Sequence, residues 1–266
     1  MLAETAKLGI PARRNCVSSV VGINSIIREC YFVKSAFPGF PQEGLDFFRK
    51  LQRNNRRDWF QPRKPVFDAT LKQPMRELVA AINVGMKTFA PEYVTDPDKA
   101  IYRIYRDTRF SKDKTPYKDH IAASFPLQGT PAGAGLYFAV SHKEVAIGGG
   151  IYMPAPETLR AIRHHVAERH QELRKIVAKP AVRQLYRAGL QGEQLTRVPK
   201  GFDPAHPAAD LLRYKQLFLY VELNPDLATT SELYPTVVRH FRAITPFLRY
   251  LNAPLTRKRP ALLPEF

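Results

Sequence analysis

From residue 42 onward the apolar positions first recur at helical spacing. Leu45, Phe48 and Leu51 mark one face of EGLDFFRKLQ, and Asn54-Asn55 closes the segment. Asn54 and Asn55 read as helix-end caps, and Asp58 as the cap of a short following turn that Trp59 and Phe60 anchor. Residues 63–89 are helical in composition, but Pro74 lies inside them and predicts a kink or two helices. The period then changes. In residues 100–107 (AIYRIYRD), Ile101, Arg103 and Tyr105 alternate with Tyr102, Ile104 and Arg106, a strand pattern. Residues 120–125 give a second strand, and 135–140 with 145–152 a hairpin across 141–144. These strands follow one another without helices. A parallel pair needs a crossover of about a dozen residues or more, so the pairing is antiparallel. Gly148-Gly149-Gly150 inside the hairpin predicts a bulge or a close backbone approach.

Helical spacing returns over residues 154–179, where Leu159, Ile162, Val166, Leu173 and Ile176 form one stripe. Residues 181–190 and 208–214 read as short helices, 216–223 as a fifth strand and 231–251 as a closing helix. The result is an α+β chain: a mainly antiparallel sheet of about five strands with helices packed on one face.

Composition sharpens this picture. At 266 residues, 44% hydrophobic, with 16 Phe, 12 Tyr and 1 Trp, the chain has enough apolar mass for a sizeable core and is not mainly disordered. No run approaches the roughly 18 apolar residues of a membrane-spanning helix. Residues 1–37 read as a poorly specified extension without a secretory signal, 38–251 as one domain, and 252–266 as a basic tail. Both cysteines, Cys16 and Cys30, fall in the extension. Residues 38–251 therefore hold no thiol nucleophile, no disulfide framework and no Cys-ligated metal, which fits a cytoplasmic location.

Charge is the strongest global signal. There are 41 Lys+Arg against 24 Asp+Glu, a balance of +17. Residues 38–248 alone carry 32 basic and 21 acidic groups, so the excess is not confined to the ends. Such a balance favours anionic partners, here nucleic acid or a phosphorylated small molecule. It is densest in RIYRDTRFSKDKTPYK, residues 103–118, with six cations and two aspartates. Like charges gathered in one loop raise the energy of the empty site, and an anion relieves it. Arg103, Arg106, Arg109, Lys112, Lys114 and Lys118 are accordingly the anion-binding candidates, the arginines suited to bidentate phosphate or carboxylate contacts. The competing reading is a solvated loop with internal ion pairs such as Asp107–Arg109.

The same string resembles the signature of a widespread conserved-hypothetical family, a domain of unknown function. LQRNNRRDWF (51–60), GGGIYMP (148–154), VPKGFDPAHP (198–207) and LLRYK (211–215) carry the resemblance further. It spans roughly residues 37–251 and implies a single domain, with no activity, cofactor or catalytic residue attached.

The remaining chemistry is sparse. His206 with Asp203 offers an acid–base pair, although an Asx-turn at Asp203-Pro204 accounts for the same residues. His164, His165 and His170 do not match a metal-binding spacing, and no phosphate-binding glycine loop or serine elbow occurs. Three functions remain. The leading one is a basic domain that binds a phosphate-bearing ligand through residues 103–118. The second is an enzyme on a small phosphorylated or carboxylated substrate, with Asp107 or His206 handling protons. The third is an interaction protein in which Arg106–Asp107 belongs to a buried ion-pair network.

Overall fold

The first helix forms where the spacing placed it. α1 (Gln42–Arg53) buries Leu45, Phe47, Phe48 and Leu51, and leaves Asp46 and Arg49 outside. Asn54 Nδ2 donates to the Lys50 carbonyl at 3.0 Å and closes the helix. The computed structural model describes residues 37–109, 111–130 and 132–256. The readings of the N-terminal extension up to residue 36, including both cysteines, and of the tail from residue 257 lie outside the described residues.

The helical run that follows is broken by its prolines. α2 (Arg57–Phe60), a 3₁₀ turn (Gln61–Arg63), α3 (Lys64–Phe67) and a π turn (Asp68–Lys72) lead into α4 (Gln73–Met86). Pro62, Pro65 and Pro74 each sit in the first turn of a segment, where the missing N–H costs no ladder bond. The break expected at Pro74 is taken up by the π turn just before it. α4 buries Leu78, Val79, Ile82 and Met86. α5 (Pro97–Ala100) then delivers the chain to the sheet.

The sheet is a four-stranded antiparallel meander in the order β1 (His120–Phe125), β2 (Gly135–Ser141), β3 (Val145–Ile151) and β4 (Leu217–Leu223). Residues 100–107, expected as a further strand, do not form one. Ile101 bridges Ala123 and Tyr105 bridges Tyr117, but four steps on one side face six on the other. The surplus residues around Asp119 and His120 interrupt the ladder, and Arg103 is left without a sheet partner. Alternation reports which way side chains point; it does not report a mismatch in the neighbouring segment. The turn at 141–144 forms as expected, with the Ser141 hydroxyl accepting from the Lys143 and Glu144 amides, each at 3.0 Å.

The three consecutive glycines follow from crowding. The β2–β3 and β3–β4 registers run through them without a bulge. A Cβ at Gly148 would stand 2.5 Å from the Leu219 carbonyl oxygen, and one at Gly149 2.9 Å from Ile244 Cδ1. The second contact comes from a helix lying on β3. That helix, α9 (Leu233–Thr256), runs past the expected end at residue 251 and carries Pro246 and Pro254 inside it. Its Phe241 packs edge-on against Phe125, with centroids 5.6 Å apart, and also meets Phe138. Near its end, buried Asn252 clasps Ala134: Oδ1 accepts from the Ala134 amide at 2.7 Å, and Nδ2 donates to the Ala134 carbonyl at 2.9 Å.

Beside α9 lies α6 (Pro156–Val177), bent at Arg169, whose φ and ψ are not helical. The carbonyl released there accepts a hydrogen bond from Tyr250 Oη at 3.2 Å. α7 (Pro180–Leu185) and α8 (Ala209–Leu212) complete the helices. Gln191 exchanges two backbone bonds with Phe218 on the outer edge of β4. The other face of the sheet is different. Ala122, Ala139 and Ala146 form a separate small cluster covered by Tyr137 and Tyr220.

Candidate functional site

Residues 101–118 leave α5, brush the edge of β1 and return through a polar loop. Two parts of the sequence are joined there. Asn55 does not cap α1. Its Nδ2 donates to the Tyr117 carbonyl at 2.9 Å, and its Oδ1 accepts from the Tyr117 amide at 3.0 Å. Phe60 stacks on the Tyr117 ring at 4.1 Å. The NNRRDWF string and the 103–118 string therefore form one local structure. Asp58 is not a cap either; it pairs with Arg56 at 3.2 Å.

The 101–107 segment separates two clefts. The first, about 580 Å³, is lined by Asn55, Arg106, Asp107, Asp113, Lys118, Asp119 and His120, among others. Its charges are mostly paired. Arg106 binds Asp113, and its Nη1 also donates to Thr115 Oγ1 at 2.6 Å. Arg109 grips Asp107 with both ends of its fork, at 3.0 and 2.8 Å. Lys143 binds Asp119 at 2.7 Å. The expected Arg106–Asp107 pair is thus replaced by two pairs with other partners. Hydrogen bonds from Arg109 hold the Asp107 carboxyl down at about 2. The Thr115 amide, then Arg106, hold Asp113 at about 2. His120, and then Lys143, depress Asp119 further. A carboxylate held so far below neutrality and committed to an arginine is a poor proton acceptor, so Asp107 has the geometry of an ion-pair partner.

The second cleft, about 290 Å³, lies between the 60–76 helical run and residues 101–105. It holds Lys64, Lys72, Arg76 and Arg103 against Asp68 and Asp98. Lys64 pairs with Asp68 at 2.6 Å, and Arg76 pairs with Asp98. Among the described residues, Lys72 and Arg103 form no ion pair. Tyr102 and Tyr105 stand on its rim, 47% and 43% exposed.

The six candidate cations of the loop are therefore divided. Arg103 faces the second cleft and Arg106 and Lys118 the first. Arg109 is taken by Asp107, and Lys114 Nζ donates to the Thr108 carbonyl at 2.9 Å. Lys112 is exposed. Lys118 sits 5.1 Å over the Tyr102 ring, its ammonium pushed down by burial and by the Arg103 charge. His206 lines neither cleft: its Nδ1 accepts from the Ala208 amide at 3.0 Å, and Asp203 closes an Asx-turn onto Ala205. Among the described residues, no group of three or more His, Cys, Asp or Glu is placed to hold a metal ion. No described helix is long and apolar enough to cross a membrane.

Lys64, Lys72 and Arg76 were not among the residues expected at a site. A signal for them exists. Lys64, Asp68, Lys72 and Arg76 recur at strict four-residue intervals, which stacks them on one helical face.

A family model described as conserved hypothetical protein (DUF2461) matches residues 43–250. The chain belongs to this family. The DUF2461 match contains both clefts and all four strands. No curated protein and no solved structure matches the chain.

Proposed function

We propose that this DUF2461 chain binds a phosphate-bearing ligand of nucleotide size in the second cleft. The observation that carries the reading is that Arg103 and Lys72 form no ion pair, in a cleft whose other two cations already have carboxylates. Arg103 offers phosphate a planar fork and Lys72 a point charge. The exposed Tyr102 and Tyr105 rings supply faces on which a base can stack. Lys118, close enough to Arg103 to feel its charge, adds to the local repulsion that an anion relieves.

The test is a thermal-shift and calorimetric titration with adenosine monophosphate, other nucleotides and short single-stranded oligonucleotides at two salt concentrations. A ligand at 100 times its dissociation constant stabilises the fold by about 2.7 kcal/mol. Stabilisation that disappears in R103A and K72A supports the reading. Stabilisation that persists in both variants, or none with any phosphate compound, rejects it.

A second reading, an enzyme on a small phosphorylated or carboxylated substrate, draws on the first cleft. There His120 Nδ1 lies 3.4 Å from Asp119 Oδ1, beside Arg106. It requires that H120N abolish turnover while leaving phosphate-ligand binding in place.

A further inference from the structure

The sheet face opposite α9 is a second chemical environment, which meets the clefts only at Tyr102 and Lys118. Register places Ser124, Tyr137, Gly148 and Tyr220 in one row across the strands. Ala122, Ala139, Ala146 and Glu222 form the next row. Ser141 and Glu144, joined through the turn, lie one row further on. Tyr102 extends the surface beyond β1, its amide bonded to the Ala122 carbonyl and its ring 6.4 Å from that of Tyr137. The floor is thus small residues, the cover is tyrosine, and the far end is acidic.

The protein carries +17, yet among the described residues neither Glu144 nor Glu222 forms an ion pair. Glu144 is half-buried as well. Burial, and then Glu144 and Glu222, push the Tyr220 hydroxyl up to about 12, so the tyrosines stay neutral beside the carboxylates.

We propose that this face, on which Tyr137 and Tyr220 are the described side chains packed over the alanines, is a docking platform for a basic partner polypeptide, whose arginine or lysine side chain lies on the Tyr137 and Tyr220 rings and is held by Glu144 and Glu222. Tyrosine faces attract guanidinium and ammonium groups, and attraction grows as the cation is desolvated. The edge of this surface already holds a cation in that way, since Lys118 lies over Tyr102. That lysine occupies the Tyr102 end and leaves the acidic end for the partner. Nucleic acid is the poorer occupant, because two carboxylates repel its phosphates at close range. Charge complementarity here is local: a polycation approaching the chain is repelled almost everywhere else.

The experiment uses the full chain with ring-labelled tyrosine, the Tyr137 and Tyr220 resonances assigned through Y137F and Y220F. The probe is a capped tetra-arginine peptide at low salt. Both rings are expected to shift on titration. E144Q/E222Q, which keeps shape and hydrogen-bonding capacity, should weaken binding at least tenfold with an unchanged melting temperature. R103A and K72A should leave peptide binding unchanged, which separates this proposal from the cleft reading. Equal affinity in E144Q/E222Q, or no movement of the two rings, overturns it. So does movement of those rings with a short oligothymidylate and not with the peptide, which would give the face to nucleic acid.

Discussion

Two clefts lie side by side along residues 101–107, and they treat charge in opposite ways. In the first, Arg106 answers Asp113, Arg109 answers Asp107 and Lys143 answers Asp119. In the second, two of four cations are answered and two are not. A local excess of charge in the sequence is therefore not the same as an available charge. The densest basic string supplies the first cleft with salt bridges that close its own loop. The availability sits where a single loop arginine meets the Lys64–Arg76 helix face.

Ligand binding separates the two clefts most decisively. Replacing Arg103 and Lys72 together by Ala should weaken a phosphate ligand about 100-fold, or about 2.7 kcal/mol, from two lost charge-assisted contacts. R106A in the same calorimetric titration should change affinity less than threefold. If R106A is the variant that loses the ligand, the two clefts have been assigned the wrong way round.

Stability gives the next largest difference. Asn55→Ala removes both bonds to the Tyr117 backbone and leaves part-buried groups unsatisfied, at a cost of about 1–3 kcal/mol. Chemical denaturation should show that loss with an unchanged slope. R106A breaks a partly exposed pair with Asp113 and should lower the denaturation midpoint less than Asn55→Ala does.

The smallest effect concerns pH. Asp107 and Asp113 have folded values near 2, below the ordinary carboxylate range. Depressed carboxylates contribute above their unfolded value and lose that contribution as pH falls. The loop pairs should therefore be insensitive between about pH 5 and 8 and open between about pH 4 and 2. His240 behaves differently. It is buried in α9, and burial lowers its pKa. The unfolded chain takes up the proton first, so stability should begin to fall as pH drops below about 6.5. A pH series of melts, with amide resonances of Thr108 and Thr115 followed alongside, separates the two windows.

What could be read from the sequence follows the range of the interactions. β1 to β3 were legible as short apolar runs whose short links leave antiparallel pairing as the remaining choice; β4 was legible as a run, but it follows three helices, so its neighbour in the sheet was not. α1 and α6 were legible from stripes such as Leu45, Phe48 and Leu51. Residues 100–107 show a clear period-two alternation and still miss the sheet, because the mismatch lies around Asp119, a dozen positions away. The Asp107–Arg109 pair could be anticipated from adjacency, whereas Arg106–Asp113 depends on how the loop closes. Asn55 looked like a cap since its partner, Tyr117, is 62 residues distant. The Lys64–Arg76 face was present as a spacing, but it becomes a cleft wall only when Arg103 is folded against it.

The clasp between Asn252 and Ala134 has a consequence for biosynthesis. Its two halves are 118 positions apart, and Phe241 covers the sheet from the same late helix. Loop closure over such a span is slow, and a sheet face awaiting its helix exposes apolar surface. On the ribosome, β1 to β3 emerge before α9 has been translated. The nascent chain should therefore hold Phe125 and Phe138 uncovered until α9 has emerged, and a chaperone that binds aromatic segments would find its opening in that interval.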